Sequence, residues 1–158
     1  MKILVTGVKG QLGYDVMKAL HQRDAACLGA DIEDFDITDA AATAAFIERY
    51  APDAVIHCSA YTAVDRAEEE AALCERVNVD GARNIAAACK KIGAKMVYIS
   101  TDYVFPGTGV HFYETDDPIG PLNVYGKTKL GGELAVQELL ERYFIVRVSW
   151  VFGKNGNN

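Results

Sequence analysis

Tyr125 and Lys129 stand four positions apart, just after Asn123, where a helical pattern opens. That spacing puts both side chains on one face of a helix. A phenol is a poor acid near neutral pH, with a reference pKa of about 10. A neighbouring ammonium stabilises the phenolate and brings the group toward the range useful for proton transfer. Thr101 closes an apolar, strand-like run, and a hydroxyl there can bond the same substrate oxygen that Tyr125 protonates. The trio suits general acid work on a substrate oxygen. Taken alone, a Tyr–Lys pair is common on ordinary helices, and its weight comes from what lies upstream.

Upstream, Lys2, Ile3, Leu4, Val5 and Thr6 read as a short buried strand running into a glycine turn. Gly7, Gly10 and Gly13 follow at three-residue spacing, and an amphipathic pattern (Leu12, Val16, Ala19, Leu20) begins at once. A strand, such a turn and then a helix bring backbone N–H groups and a helix N-terminus against a pyrophosphate. Gly7 allows the tight turn, Gly10 the close approach of the phosphates, and Gly13 the packing of helix on strand. Asp31 ends the second strand-like run, near the offset expected for a carboxylate on an adenosine ribose. Glu33, Asp34, Asp36 and Asp39 follow it with no Arg or Lys among them, which favours NAD(H) over NADP(H). Read singly, each of these acids is equally a residue of a solvated turn.

The elements that position these groups alternate along the chain. Strands are expected at Ala26–Ala30, Ala54–Cys58, Lys95–Ser100 and Phe144–Phe152, after the opening one. Between them lie a helix from Thr38 and Asp39 to Tyr50, stopped by Pro52, and a long helix to Ile92, ended by Gly93. Glu68, Glu69 and Glu70 stand where that long helix opens, favourable for its dipole. A loop with Pro106, Gly107, Gly109, Pro118, Gly120 and Pro121 precedes a helix over Val124–Arg142. Apolar strands separated by helices imply an α/β fold: a doubly wound parallel sheet covered on both faces, of the Rossmann type. All 158 residues fit one domain. Function is then sought beyond the C-terminal ends of the strands.

The net charge of −6, with no basic cluster, argues against a nucleic-acid or anionic-membrane surface. No apolar run approaches a membrane span, and the opening strand leaves no room for a signal peptide. Cys27, Cys58, Cys74 and Cys89 lack metal-like spacing and read as buried, reduced thiols of a cytoplasmic protein. His21, His57 and His111 are scattered, so no metal site is expected.

Gly7-x-x-Gly10-x-x-Gly13 with Tyr125-x-x-x-Lys129 resembles the extended short-chain dehydrogenase/reductase family. Three further stretches resemble its branch of dTDP-sugar 4-keto reductases. They are Ser100-Thr101-Asp102-Tyr103-Val104-Phe105-Pro106-Gly107, Pro121-Leu122-Asn123-Val124-Tyr125-Gly126-Lys127-Thr128-Lys129 and Ala60-Tyr61-Thr62-Ala63-Val64-Asp65. The resemblance implies an oxidoreductase using NADH or NADPH on a dTDP-sugar substrate. Tyr125 would be the proton donor to the C4 oxygen, and Lys129 would hold the nicotinamide ribose while lowering the tyrosine pKa. Thr101 and Asp102 would contact the substrate at the reacting carbonyl. Gly10, Gln11 and Leu12 would face the pyrophosphate, Asp31, Asp36 and Ile37 the adenosine end, and Ala60, Tyr61 and Thr62 the cofactor beyond strand three. Trp150 would pack near the sugar, although by itself it is equally a partly buried strand aromatic.

Related sugar-nucleotide dehydratases follow their threonine with an Asp-Glu pair, whereas Asp102 here precedes Tyr103. The acid pair for water elimination is therefore absent. A second class of function, a non-catalytic dinucleotide-binding subunit similar to the regulatory subunit of methionine adenosyltransferase, has no need of a tuned phenol. A homodimer occurs in parts of the family and leaves no mark in this sequence. Family members continue well beyond the position of Asn158 with residues that form much of the sugar site. The 158-residue chain alone is therefore expected to bind NADH weakly, turn over negligibly and self-associate through apolar surface.

Overall fold

In the computed structural model, which describes residues 1–108, 112–153 and 155, β1 (Lys2–Thr6) is buried from Ile3 onward. It lies between β2 (Ala26–Ala30) and β3 (Ala54–His57), and β4 (Lys95–Thr101) and β5 (Tyr143–Val148) follow beyond β3. Every pairing is parallel, in the order β2-β1-β3-β4-β5. Because the chain leaves β1 for one side and returns to the other, the strand order reverses between β1 and β3. That reversal opens a crevice at the C-terminal ends of the two strands.

Helices cover the sheet. α1 (Gln11–His21) follows the glycine turn, and α2 (Ala40–Tyr50) is capped by Asp39, whose carboxylate accepts from the Ala41 and Ala42 N–H groups. Leu4, Val55, Met96, Ile47 and Ile85 fill the core, each essentially without exposure. The burial of each such side chain is worth about 1.5–3 kcal/mol.

The long helix expected up to Ile92 is broken up. A short α3 (Val64–Ala67) precedes it, and α4 (Ala71–Glu75) passes through a π turn, Arg76–Asp80, into α5 (Gly81–Ile92). Glu68, Glu69 and Glu70 lie before α4. Glu68 accepts the Val124 N–H at 2.7 Å and Glu70 the Tyr61 hydroxyl at 2.6 Å, so these two acids tie segments together. The π turn carries Asn78 into the interior, where one residue more than a regular turn is needed. α6 (Val124–Leu139) starts at Asn123, whose side chain accepts the Gly126 N–H. The last strand stops at Val148, short of Phe152, because Trp150 adopts a left-handed φ of 51° that a strand cannot contain. Phe144, Trp150 and Phe152 are exposed on that side. Gly109, His111 and the residues after Gly153, Asn155 excepted, lie outside the described residues.

His57 is buried at the end of β3, with Nδ1 2.8 Å from the Thr6 hydroxyl. Burial pushes its pKa down to about 3, with the Lys129 charge adding to the effect. The unfolded chain takes up a proton at about pH 6.5, whereas the folded chain refuses it until about pH 3. Stability should therefore fall as the pH drops through that window, and His57→Gln should flatten the fall. Urea denaturation near neutral and at mildly acid pH measures it; identical pH slopes for the two proteins would contradict this account.

Candidate active site

The glycine turn is built as its spacing implies. Gly7 has a φ of +71°, the left-handed region that glycine enters without strain. A Cβ on Gly13 would sit 2.2 Å from the Gly7 carbonyl oxygen, so only glycine lets α1 lie this close to the turn. On Gly10 the nearest atom would be that same oxygen, at 3.3 Å, and the rest of its surroundings is open cleft. α1 begins without a side-chain cap, leaving first-turn N–H groups for an anion. The Gln11 Nε2 is buried there with no hydrogen-bond partner among the described residues. A pyrophosphate oxygen would be an acceptor for this amide, and in that respect the residues present fit a dinucleotide.

From this turn a cleft of about 800 Å³ runs across the C-terminal strand ends. Its walls bring together Gly7, Gly10, Gln11, Leu12 and Gly13 with Asp31, Asp36 and Ile37 at one end. Ala60, Thr62, Thr101, Asp102, Tyr125, Lys129 and Trp150 line it toward the other. Of the residues singled out from sequence, Tyr61 is the one it leaves aside. The Tyr61 hydroxyl turns to Glu70, and its backbone is gripped by Asn78, which accepts the Tyr61 N–H at 2.8 Å and donates to its carbonyl at 3.1 Å. Trp150 stands at the mouth, 93% exposed, so it is not a buried strand aromatic.

At the adenosine end Asp31 accepts the Lys9 N–H at 2.8 Å and the Ile32 N–H at 2.9 Å. Asp36 accepts the N–H and hydroxyl of Thr38. Lys9 is in the cleft wall too, its ammonium paired with Glu33 across the turn. Sequence reasoning looked for a cation only after Asp31 and missed this one, which arrives from the glycine turn.

At the other end, Tyr125 and Thr101 share the cleft wall, and hydrogen bonding from Thr101 acts to lower the phenol pKa. The Thr101 hydroxyl also reaches Asp102 Oδ1 at 3.1 Å and accepts the Tyr103 N–H at 3.2 Å, which fixes its position. The Tyr103 ring meets that of Tyr125 edge-on at 5.6 Å. Lys129 is buried, donating to the Ile99 carbonyl at 2.6 Å with its ammonium 4.3 Å from the Tyr98 ring centre. Burial pushes its pKa down to about 7, against the upward pull of Glu133, Cys58 and Cys74. Burial also raises Tyr125, and the Thr101 hydrogen bond only partly offsets it. The expected lowering of the phenol by Lys129 is thus not what this geometry holds: the ammonium is engaged by the carbonyl and the ring, and burial dominates the phenol. Three more residues escaped sequence reasoning: Asn78, Glu133 and Arg147. Only Glu133 left a signal, four residues beyond Lys129 on the same helix face.

A doubly wound parallel sheet, an uncapped helix after a glycine turn, and a threonine–tyrosine–lysine group across one cleft define a Rossmann-type domain of reductase-like build. The chain belongs to the RmlD substrate binding domain family, which it matches over residues 1–158. It is 46% identical over 156 residues to a dTDP-4-dehydrorhamnose reductase of Streptomyces griseus, covering 98% of this chain and 51% of that protein. Its fold superposes on a crystal structure of a dTDP-4-dehydrorhamnose reductase from Clostridium acetobutylicum with a TM-score of 0.97 and 44% identity, covering 100% of this chain and 56% of that one. A Bacillus anthracis dTDP-4-dehydrorhamnose reductase, solved in complex with NADP, superposes with a TM-score of 0.96 and 43% identity, covering 100% and 57% respectively. The chain therefore spans about half the length of the relatives it matches.

Proposed function

We propose that the protein reduces the C4 keto group of dTDP-4-dehydro-L-rhamnose to dTDP-L-rhamnose with NADH or NADPH. The observation that carries this reading is that Thr101, Tyr125 and Lys129 line one cleft whose far end is the glycine turn. The names of the similar proteins give the sugar. The regulatory-subunit alternative leaves a half-buried phenol and a buried lysine on one cleft wall without a purpose.

Gly10, Gln11 and the start of α1 hold the pyrophosphate, and Asp31 faces the adenosine ribose. NADH or NADPH, when bound, would supply the hydride for the reduction. Thr101 holds the keto oxygen, and Tyr125, kept protonated by its burial, gives that oxygen its proton. Lys129 would hold the nicotinamide ribose. Asp102 and Trp150 border the sugar. The setting is cytoplasmic in this reading, in keeping with four free thiols and with no helix of the described residues long and apolar enough to cross a membrane. We take the working enzyme to be a homodimer, as in parts of the family. The test is turnover by the full-length protein: loss of reduced-nicotinamide absorbance on adding the 4-keto sugar nucleotide supports the reading, and none under any cofactor overturns it.

Lys9 bears on the choice of cofactor. The acids after Asp31 repel a 2′-phosphate, whereas Lys9, released from Glu33, attracts it, so both cofactors should be used. Lys9→Ala should weaken NADPH relative to NADH by about tenfold, the value of one charge-assisted contact. Kd values for both cofactors decide it, and an unchanged ratio would remove Lys9 from the site.

A further inference from the structure

Glu133 is 1% exposed, one turn beyond Lys129 on α6. Its carboxylate collects three donors: the Ser100 hydroxyl at 2.5 Å, and Arg147 Nε at 3.0 Å and Nη2 at 2.7 Å. Ser100 adjoins Thr101 at the end of β4, and Arg147 stands on β5. The remaining arm of the guanidinium donates to the Thr115 carbonyl at 3.3 Å, and its central carbon lies 5.0 Å from the centre of the Phe105 ring, itself stacked on Tyr113 at 4.5 Å. One carboxylate thus joins the helix that carries Tyr125 and Lys129, the strand end that carries Thr101, and, through Arg147, the segment around Phe105 and Thr115.

We infer that Glu133 and Arg147 form a positioning pair: Glu133 sets α6 against β4 so that Tyr125 and Lys129 are held facing Thr101, and places a negative charge beside Lys129, while Arg147 anchors Phe105 and Thr115 to the same point. The inference rests on the proposed roles of Tyr125 and Lys129. Charge is the part that packing cannot supply. The groups facing Lys129 are Glu133 on its own helix, Cys74 on α4, His57 and Cys58 around the end of β3, and the Tyr98 ring on β4. Of the anionic influences on the ammonium, Glu133 is the largest, so it opposes the burial that drives the proton off. Arg147 donates through a fork that matches the carboxylate and fixes its orientation, which a lysine does not reproduce.

The test uses the full-length protein with Glu133→Gln, Glu133→Asp and Arg147→Lys. Glu133→Gln keeps the shape and removes the charge. It should lower kcat by on the order of ten- to a hundredfold, with the Kd for NADH nearly unchanged, because the cost is misplacement of the proton donor. The alkaline limb of its kcat/KM profile should move to lower pH, and the Nζ resonance of Lys129 should titrate at lower pH by the same amount. Glu133→Asp should restore the titration and part of kcat. Arg147→Lys should leave the titration close to wild type and raise KM for the sugar nucleotide. If Glu133→Gln does not fold, Arg147→Lys carries the test through KM for the sugar nucleotide and Glu133→Asp through the kcat it loses, and wild-type values of both would overturn the inference. Lys129 titrating as in the wild type in a folded Glu133→Gln protein would overturn the inference, as would variants that lose thermal stability alone. A shifted Lys129 titration with no reductase activity in any variant or the wild type would leave the pair standing and sink the reductase reading instead.

Discussion

Replacing Tyr125 by phenylalanine in the full-length protein should reduce kcat by about a hundredfold or more, the usual worth of a positioned general acid. The Kd for NADH should change by no more than about twofold, since the phenol oxygen is a small part of the dinucleotide contact. The geometry makes the substitution clean. The ring is held edge-on by Tyr103, and it shares the cleft wall with Thr101, whose own position is kept by Asp102 and the Tyr103 N–H. Removing one oxygen therefore takes away the proton and leaves the wall of the cleft in place. Steady-state kinetics with a parallel binding titration separate the two effects. A variant with near wild-type turnover would mean that another group protonates the substrate.

The second large effect belongs to the glycine turn, where two glycines of the same motif should answer differently. Gly13→Ala drives a methyl group to 2.2 Å from the Gly7 carbonyl oxygen and 2.7 Å from its carbon, both backbone atoms that cannot swing aside. Overpacking of this kind costs about 1–3 kcal/mol or more. In a chain of this size that lowers the melting temperature by about 5–10 °C, and dinucleotide binding goes with the displaced helix. Gly10→Ala meets only the Gly7 oxygen at 3.3 Å, a contact that a shift of a few tenths of an ångström relieves. Its fold should persist within about 1 kcal/mol, while its methyl group occupies the space through which a pyrophosphate reaches α1. Melting curves and NADH titrations on both variants check this. Equal loss of stability in the two would contradict the distinct roles assigned to them.

Much of this site was legible because its determinants are local. The apolar runs of β1 and β3, buried on both faces, and of β4, buried on one and half-buried on the other, read as strands without help from context. The glycine triplet announces the turn because a side chain at Gly7 would be strained and would press on Ser59, and one at Gly13 would run into the Gly7 backbone. Asp39 and Asn123 announce their helices by capping them. What stayed hidden depends on distant parts of the chain. The π turn at Arg76–Asp80 exists to deliver Asn78 to the Tyr61 backbone, and a helical apolar period carries no sign of one extra residue. Lys9 and Glu33 meet only because β1 and β2 are neighbours. The orientation of Lys129 is decided by the Ile99 carbonyl and the Tyr98 ring, neither on its own helix, so the four-residue spacing alone predicted too strong an effect on the phenol.

The central claim is that one cleft, running from the glycine turn to Tyr125, holds the dinucleotide. The most direct measurement is calorimetric titration of NADH into the chain of residues 1–158, beside its Gly10→Ala and Tyr125→Phe variants. The account predicts one-to-one binding that weakens by about tenfold or more in Gly10→Ala, stays within about twofold in Tyr125→Phe, and brings no turnover of the keto-sugar nucleotide. Binding absent from the folded wild-type chain, or binding indifferent to Gly10, would contradict it.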